Sequence, residues 1–494
     1  MAADNNTPTN ASKSASVRTI GVFVLAMINV AAVLSLRNLP AMAEYGWSSI
    51  FWTGLGTVLF LLPLSLVGAE LASGWPNSSG VYDWVRLGFG KKPGFVAIWS
   101  EWVENVVWFP SVLSFLAATL AYVINPDLAN NRIYLVVIML GTFWLITGIN
   151  CMGDRWSGTV SSVGTILGTV IPAVVLISLA IYWMVSGRGI AIPWEGPGSL
   201  LPSSFNLSSL ALVSTVILMF AGMEMAGYHA RETKNPQRDF PRAMFISAAV
   251  VFLLTTLGTL AIAFVIPAKD IGLASGLMQA FQEFFKQLGM EWAVAPMGLL
   301  VFIGGFALVS TWVIGPAKGM RGPGDDGLLP PMWTRENKHG VPVGVIILQA
   351  VIGSLFAFLF VLVPSVNSAY WILSALTTLI ISIMYILIFT SVIRLRYTHP
   401  DHPRPFKIPG GKMGIWIVAG LGLLAAAFAL VVGFFPPSQI ITMSTSLYVL
   451  GLLAGVVILS LPPFIFYFVK KPSWLEAAQK SASEGIAAGT EGES

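Results

Sequence analysis

The stretch TIGVFVLAMINVAAVLSL, from Thr19 to Leu36, has no charged residue, and stretches of this kind decide the fold. The hydrocarbon core of a bilayer is about 30 Å thick, so about 20 apolar residues in a helix cross it. A helix satisfies its own backbone hydrogen bonds in lipid, whereas an isolated strand does not. The stretch therefore predicts a helix that spans a membrane.

Eleven further apolar stretches of similar length follow, separated by turn-forming pairs such as Asn125-Pro126 and Pro436-Pro437. The sequence thus predicts an all-α membrane protein with twelve transmembrane helices. We number these predicted spans 1 to 12 in chain order: Thr19–Leu36, Ile50–Ala69, Phe95–Val123, Ile133–Ile149, Gly158–Val185, Leu210–Tyr228, Ala243–Ile266, Trp292–Ile314, Val341–Val363, Ala369–Ile393, Met413–Phe435 and Thr445–Val469.

The composition agrees with this fold class. Of the 494 residues, 55% are hydrophobic and only 10% are charged, whereas about a quarter of the residues in a soluble domain are charged. This excludes a soluble enzyme, a nucleic-acid-binding protein and a disordered chain. Cys151 is the only cysteine, which excludes an intrachain disulfide and a CxxC site.

The distribution of basic residues predicts the topology. Of the 27 Lys and Arg residues, 22 lie in the tails and the even-numbered loops, and four lie in odd-numbered loops. Since basic loops stay in the cytoplasm, both termini are expected there.

The predicted organisation has a cytoplasmic tail (1–17), a twelve-helix domain (18–470) and a disordered cytoplasmic tail (471–494). Spans 1–5 (about 18–186) and 6–10 (about 208–393) have similar lengths, as in the two inverted five-helix repeats of many secondary transporters, and two extra helices (413–469) follow. A short amphipathic helix over Gln279–Lys286 is expected on the outer surface.

Charged residues inside a span are costly unless they are paired or hydrated. Glu224 lies deep in span 6 between Gly222 and Gly227, and glycine lets a membrane helix open. One interpretation is a protonatable group or substrate ligand at a helix break. The other is a buried neutral acid that is hydrogen-bonded to a neighbouring helix.

Arg37 follows span 1, and the nearby Asn38 and Pro40 predict that the helix breaks and restarts there. A guanidinium keeps its proton and therefore needs an anion, either an internal glutamate or a substrate carboxylate. Alternatively, the side chain extends to the outer interface.

Glu101 and Glu104 are three residues apart on one helical face of span 3, with Trp108 one turn further along. They either line a cytoplasmic vestibule or pair with Arg37 or a loop base. Glu70, at the end of span 2, is expected to be interfacial.

The sequence contains no HExxH, GxSxG or P-loop motif, and the histidines show no metal-ligand spacing. A membrane-embedded enzyme would need a nucleophile or metal cluster within the spans, and none is visible. We therefore expect neither enzymatic activity nor a cofactor.

These residues resemble the amino acid–polyamine–organocation superfamily of transporters, and within it the glutamate/GABA antiporter group, over about residues 16–470. The most specific stretch is GMEMA from Gly222 to Ala226, followed by ETKNPQRDFP from Glu232 to Pro241. GWP at 74–76, GVYDWV at 80–85, WVIGPAKGM at 312–320 and FKIPGGK at 406–412 are also similar.

The resemblance implies two inverted five-helix repeats in which spans 1 and 6 are broken near the membrane midplane. Backbone groups at the breaks, around Ser35 and Gly222, would hold the substrate's carboxylate and amine. Glu224 matches a glutamate linked to substrate recognition and proton coupling. Trp312 matches an aromatic residue that lines the path, and Tyr385 matches a tyrosine near the substrate. On position alone, these two aromatic residues suit helix packing as well.

The chain also departs from the glutamate/GABA group. Arg37 replaces a span-1 tyrosine, Ile381 replaces a second span-10 tyrosine, and residues 34–36 lack the usual glycines. Glu101 and Glu104 have no acidic counterpart there that we can place. The C-terminal tail is too short for the histidine-bearing plug of acid-resistance antiporters.

The sequence therefore predicts a secondary amino-acid antiporter of the glutamate/GABA type in a bacterial inner membrane, with or without proton coupling. Arg37 favours a substrate with a second carboxylate. Glu101 and Glu104 favour the alternative, a cationic amino acid or polyamine such as arginine/agmatine or ornithine/putrescine. A nutrient sensor that binds without transport is a further alternative. The expected partners are a small amino acid or amine and the lipid bilayer, not nucleic acid.

Overall fold

A computed structural model gives an all-helical fold. Among the described residues, the only β-type pairing is an isolated bridge between Ile20 and Thr233. The all-α membrane fold predicted from the sequence is thus confirmed. The structure describes residues 20–76, 78, 80–153, 163–202, 210, 214, 216–217, 219–225, 233–436 and 444–480.

Within these residues, 11 helices are long and apolar enough to cross a membrane. Eight of the 19 residues of predicted span 6 lie outside the described residues, as do tail 1–17 and residues 481–494, so the count of twelve stays a prediction. The spans described are 1 (Val22–Ala43), 2 (Gly46–Gly74), 3 (Lys91–Ile124), 4 (Arg132–Cys151), 5 (Val163–Val185), 7 (Arg238–Val265), 8 (Glu291–Asp325), 9 (Val343–Leu362), 10 (Val366–Thr398), 11 (Gly411–Val432) and 12 (Thr445–Val469).

Several helices continue beyond their apolar stretches, because polar residues at a membrane interface remain compatible with a helix. Span 10, predicted to end at Ile393, continues to Thr398. The predicted amphipathic helix is confirmed as a helix over Gly276–Gln287, and a second short helix, Val81–Phe89, connects spans 2 and 3.

The predicted C-terminal tail is not irregular throughout. Residues 472–480 are helical, which differs from the disorder expected from residue 471. Leu475 in this segment lies close to Gly327, where an added Cβ would approach the Leu475 Cβ to 2.8 Å. This contact with the loop after span 8 accounts for the order.

Span 1 is broken, as the resemblance implies. A helix over Val22–Val33 ends at Leu34, Leu34 and Ser35 are extended, and the chain restarts as a short helical turn at Leu36–Asn38. The break therefore lies around Ser35, where the resemblance implies it, and three residues before the position that Asn38 and Pro40 suggest. Pro40 lies in the first turn of the restarted helix, where its missing N–H is not needed.

Spans 2 and 5 each contain a π-helical segment followed by proline. The segment Thr57–Leu61 comes before Pro63, and Ile166–Val170 comes before Pro172. Proline has no N–H to bond the carbonyl four residues earlier, so the local winding changes.

At the span 5 segment, the backbone makes a close approach to span 8. A Cβ on Gly168 would lie 2.1 Å from the Gly304 nitrogen, which leaves room only for glycine. This contact between small residues is typical of membrane helix packing, and it sets the position of span 8 beside the break in span 1.

Polar and close contacts join spans 1, 2 and 7. The Asn29 side-chain amide in span 1 donates to Ser247 Oγ in span 7 at 3.3 Å. The hydroxyls of Thr53 in span 2 and Thr256 in span 7 are 3.1 Å apart. These spans therefore pack as one group.

Candidate substrate site

A cavity lies where the break in span 1 meets spans 3, 6, 8 and 10. Its empty volume is about 400 Å³, which includes the space at its open side. Both polar and aromatic side chains contribute to its walls, which suits a small polar ligand. The lining residues are Ala32, Val33, Ser35, Asn38, Glu104, Asn105, Trp108, Ala221, Leu308, Trp312 and Ile381.

Three lining residues contribute polar oxygens that have no hydrogen-bond partner. These atoms are Ser35 Oγ, Glu104 Oε2 and Asn105 Oδ1, and all three are buried. Buried polar atoms are normally hydrogen-bonded, so orphaned ones need an explanation. Because they line one cavity, a ligand or water bound there would satisfy them.

The break in span 6 forms around Gly222. The chain is helical at Phe220, turns at Ala221 and Gly222, and continues as a 3₁₀ turn over 223–225. Gly222 has φ of +113°, a conformation that L side chains rarely adopt. An added Cβ would lie 3.1 Å from the Ala32 carbonyl oxygen and 3.1 Å from the Trp312 ring. Glycine is thus required where spans 1, 6 and 8 meet.

Glu224 is held by this break. The Gly222 N–H donates to Glu224 Oε2 at 3.2 Å and to Tyr385 Oη at 3.1 Å. The Tyr385 hydroxyl donates to Glu224 Oε1 at 3.0 Å. Each carboxylate oxygen of Glu224 therefore accepts a hydrogen bond, and span 10 is fastened to the break in span 6.

Arg37 lies behind Trp108, outside the cavity lining. Its guanidinium is 5.7 Å from the Trp108 ring and 5.0 Å from the Tyr370 ring, and its Nη1 donates to Ser111 Oγ at 2.6 Å. The side chain is 1% exposed. Its Nε has no hydrogen-bond partner, and no carboxylate of the described residues lies within ion-pair distance of it. Within the described part of the chain, the positive charge is thus buried without an ion-paired carboxylate.

The acidic residues of span 3 differ from one another. Glu104 lines the cavity and lies within electrostatic range of Arg37, Glu101 and Glu224. Glu101 is fully buried and does not line the cavity, while its backbone carbonyl accepts a hydrogen bond from the Asn105 side chain at 2.8 Å.

Two tryptophans stand together in the cavity wall. The rings of Trp108 in span 3 and Trp312 in span 8 have centroids 6.0 Å apart and are tilted by 57°. This is a favourable aromatic geometry. Trp108 thus contacts both the Arg37 guanidinium and the aromatic wall of the cavity.

The structure brings the predicted site residues together around the cavity, in four different positions. Ser35, Glu104 and Trp312 line the cavity, whereas Gly222, Glu224 and Tyr385 form the hydrogen-bonded group beside it. Arg37 lies behind the wall. Glu101 is one turn away from the cavity on span 3. Sequence reasoning did not single out Asn38 and Asn105 in the lining, or Ser111 and Tyr370 around Arg37, although an asparagine beside Glu104 was a usable signal.

Glu70 corrects another expectation. It is not interfacial: its side chain is 0% exposed, and it forms a bidentate ion pair with Arg396 at 2.5 and 2.6 Å. Arg404 Nε lies 3.3 Å from the same carboxylate, and the Ile408 N–H donates to it at 2.9 Å. Burial lowers the pKa of Arg404, and the Glu70 charge acts in the opposite direction. The cluster fixes span 2 to span 10 and to the following loop.

The same loop is fastened to the end of span 2 by an aromatic contact. The His402 ring stacks on Trp75 with centroids 4.4 Å apart and an interplanar angle of 7°, and His402 Nε2 is 2.8 Å from the Gly74 carbonyl oxygen. The Arg404 guanidinium lies 5.1 Å from the Trp75 ring. The loop thus covers this end of span 2.

Comparison with known proteins gives consistent relatives. The chain is similar to an uncharacterized transporter, lpg1691, of Legionella pneumophila, with 41% identity over 451 residues that cover 91% of this chain and 97% of the relative. It is 31% identical to a glutamate/gamma-aminobutyrate antiporter of Lactococcus lactis over 454 residues, covering 91% and 90%. A probable agmatine/putrescine antiporter of Lactococcus lactis is 25% identical, covering 83% and 87%.

The family profile described as amino acid permease matches residues 20–459, which includes both helix breaks and the cavity. The described spans, the breaks and the relatives agree on a multi-pass membrane transporter. The chain belongs to the amino acid permease family, within the amino acid–polyamine–organocation superfamily.

Proposed function

We propose that this protein is an antiporter of the glutamate/GABA type in a bacterial inner membrane, with both termini in the cytoplasm. The observation that carries the proposal is the unmatched charge of Arg37. A buried guanidinium keeps its proton and requires an anion. A substrate carboxylate supplies that anion. An acidic amino acid has a second, side-chain carboxylate that is available to Arg37 after its α-carboxylate is bound.

The cavity offers separate positions for the groups of such a substrate. The Ser35 hydroxyl at the break in span 1 lines the cavity without a hydrogen-bond partner, which suits the α-carboxylate of the substrate. Glu104 and Asn105 provide acceptors for an ammonium group. A side-chain carboxylate that passes Trp108 reaches Arg37, because this ring lines the cavity and lies 5.7 Å from the guanidinium.

Alternating access then moves one group of helices against the rest. Spans 1, 2 and 7 are joined by the Asn29–Ser247 and Thr53–Thr256 contacts, which suits movement as a unit with span 6. The Glu70–Arg396 pair connects span 2 to span 10 on the side to which the basic loops assign the cytoplasm. In our proposal this pair holds the cytoplasmic side closed.

The names of the relatives support this choice. The two Lactococcus lactis glutamate/gamma-aminobutyrate antiporters are each 31% identical to the chain, more than the probable agmatine/putrescine antiporter at 25%.

The test is exchange in reconstituted vesicles loaded with GABA and supplied with labelled glutamate outside. We expect the wild-type protein to exchange the two, Arg37→Ala to lose glutamate exchange, and Arg37→Lys to keep part of it, because lysine retains the charge. Glutamate entry must depend on internal GABA. Transport of arginine without glutamate by the wild-type protein would contradict the proposal.

A second function is favoured by a different observation. Glu104 Oε2 and Asn105 Oδ1 both face the cavity as acceptors without partners, which suits an ammonium or guanidinium side chain. On this alternative the protein exchanges a cationic amino acid for its amine, and Arg37 balances an internal glutamate. Exchange of a cationic amino acid for its amine by the wild-type protein, without glutamate transport and lost in Glu104→Gln, would support this alternative.

A further inference from the structure

We propose that Lys92 and Lys470 together bind the headgroup of an anionic phospholipid at the membrane interface. Lys92 lies in the first turn of span 3, and Lys470 directly follows the last helix of span 12. Both residues are exposed. Neither lies at the helix breaks, so this site does not depend on the proposed function.

The two lysines converge on one aromatic ring. The Lys92 Nζ lies 3.9 Å from the centroid of the Tyr467 ring, and the Lys470 Nζ lies 4.3 Å from the same centroid. The two ammonium groups are therefore closer together than the Debye length of about 10 Å at 0.1 M salt, and they repel each other. The ring attracts each cation but has no net charge, so balancing them requires an anion.

The protein itself does not supply that anion among the described residues. Within this part of the chain, Lys92, Lys470 and the adjacent Lys471 form no ion pair. The neighbouring Lys91 differs, since its Nζ lies 2.9 Å from the Asp326 carboxylate. Three positive charges at this interface are thus available to a bound anion, whereas the charge of Lys91 is already matched.

The surroundings of these lysines favour a lipid over a soluble anion. Tyr467 is half-buried, and the Phe468 side chain beside it is 82% exposed at the end of the span. Tyrosine is enriched where lipid headgroups lie, and an exposed phenylalanine at this depth suits an acyl chain. The basic loops assign this side to the cytoplasm, where basic residues near the membrane attract anionic lipids.

A lipid bound here would fasten span 12, which is the least buried of the described spans. In its most apolar stretch 11% of the residues are buried, compared with 83% in span 3. Two contacts already join these spans. The Trp99 indole N–H donates to the Leu459 carbonyl at 2.8 Å, and the Phe95 and Phe466 rings have centroids 6.5 Å apart. One phosphate between Lys92 and Lys470 adds a third connection at their ends.

The test measures the unfolding temperature of the purified full-length protein in detergent with added phosphatidylglycerol, phosphatidylcholine or inorganic phosphate. We expect phosphatidylglycerol to raise this temperature, because a ligand that binds the folded state stabilises it. Phosphatidylcholine has no net charge and inorganic phosphate has no acyl chain, so both should leave the temperature unchanged.

The double change Lys92→Gln with Lys470→Gln removes both charges and keeps polar, flexible side chains. Each lysine near an anionic lipid contributes about fivefold in affinity, so this variant should need about 25 times more phosphatidylglycerol for the same rise in unfolding temperature.

Lys412→Gln is the matched control. Lys412 is also an exposed lysine on a tyrosine ring, 4.9 Å from the centroid of Tyr397, but no second lysine of the described residues shares that ring. This variant should respond to phosphatidylglycerol as the wild-type protein does.

Native mass spectrometry gives a second readout that does not depend on unfolding. The double variant should retain one phosphatidylglycerol molecule fewer than the wild-type protein, and Lys412→Gln should retain the same number. Equal binding of phosphatidylglycerol by the double variant and the wild-type protein would overturn the inference. So would equal stabilisation by phosphatidylcholine, which would assign the effect to acyl chains, or by inorganic phosphate, which would assign it to a soluble anion.

Discussion

Two groups of buried charges in this molecule are organised in opposite ways. Near the end of span 2, the carboxylate of Glu70 is matched by Arg396 and Arg404, and the backbone of Ile408 donates to it. At the helix breaks, Arg37 and Glu104 lie within electrostatic range of each other but form no ion pair, and each has an unpartnered polar atom. Both groups are almost completely buried.

The difference indicates what each group is for. A buried ion pair is costly to break, because the remaining partner is left as an uncompensated charge. The Glu70 cluster therefore fixes one arrangement of helices. Buried charges without partners are costly from the start, and they suit a site that receives its missing partners from a substrate.

The largest expected effect comes from breaking the matched group. Glu70→Gln removes the charge that balances two arginines, so we expect a loss of about 3–5 kcal/mol in stability. The measurement is the thermal unfolding of the purified protein in detergent.

Glu476→Gln is the control for this change, because Glu476 is exposed in the C-terminal helical segment. Equal unfolding temperatures for Glu70→Gln and Glu476→Gln would mean that the matched cluster contributes nothing to the fold.

A smaller effect is expected at the helix break beside the unmatched group. Gly222→Ala places a side chain at φ of +113° and within 3.1 Å of the Ala32 carbonyl, and strain of this kind costs about 1–3 kcal/mol. We expect the relative loss in exchange rate to be larger than the relative loss in unfolding free energy, because the break positions Glu224 and Tyr385.

Gly420→Ala is the matched control, since it lies in the helix Gly411–Val432 with nothing within 4 Å of an added Cβ. Its exchange rate should equal that of the wild-type protein. An unchanged exchange rate in Gly222→Ala would show that the site tolerates a different backbone conformation at the break in span 6.

The smallest effect is expected at the hydrogen bond that holds Arg37. Ser111→Ala removes the acceptor of Nη1 but leaves the contacts with Trp108 and Tyr370. We expect the KM for glutamate to rise about fivefold, which corresponds to about 1 kcal/mol.

Ser114→Ala makes the same change one turn along, where the hydroxyl donates only to the Ser111 carbonyl among the described residues. Its KM should stay at the wild-type value. An equal rise in both variants would assign the effect to helix packing instead of Arg37.

The sequence singled out charged residues that the structure places at or beside the cavity. Arg37, Glu104 and Glu224 stand out because a charge within an apolar stretch is expensive and therefore rare. The membrane fold also follows from apolar length alone, since few other structures satisfy the backbone in lipid. The resemblance supplied the breaks in spans 1 and 6.

What the sequence did not predict is which charges are matched. Glu70 and Arg396 are 326 positions apart, and no local pattern joins them, so Glu70 was expected at the interface. The break at Leu34 and Ser35 carries neither glycine nor proline, so only the resemblance indicated it, and the local sequence suggested Asn38 and Pro40 instead. Ser111 is a neutral polar residue, whose presence in a span does not signal a site.

The central claim is that Arg37 receives a carboxylate of the substrate, and ligand-induced stabilisation tests it most directly. Glutamate at 100 times its Kd should stabilise the wild-type protein by about 2.7 kcal/mol, seen as a higher unfolding temperature. Arg37→Met replaces a buried unmatched charge with an apolar side chain, so the ligand-free protein should remain folded. We predict that this variant loses the stabilisation by glutamate. Equal stabilisation of Arg37→Met and the wild-type protein would contradict the account.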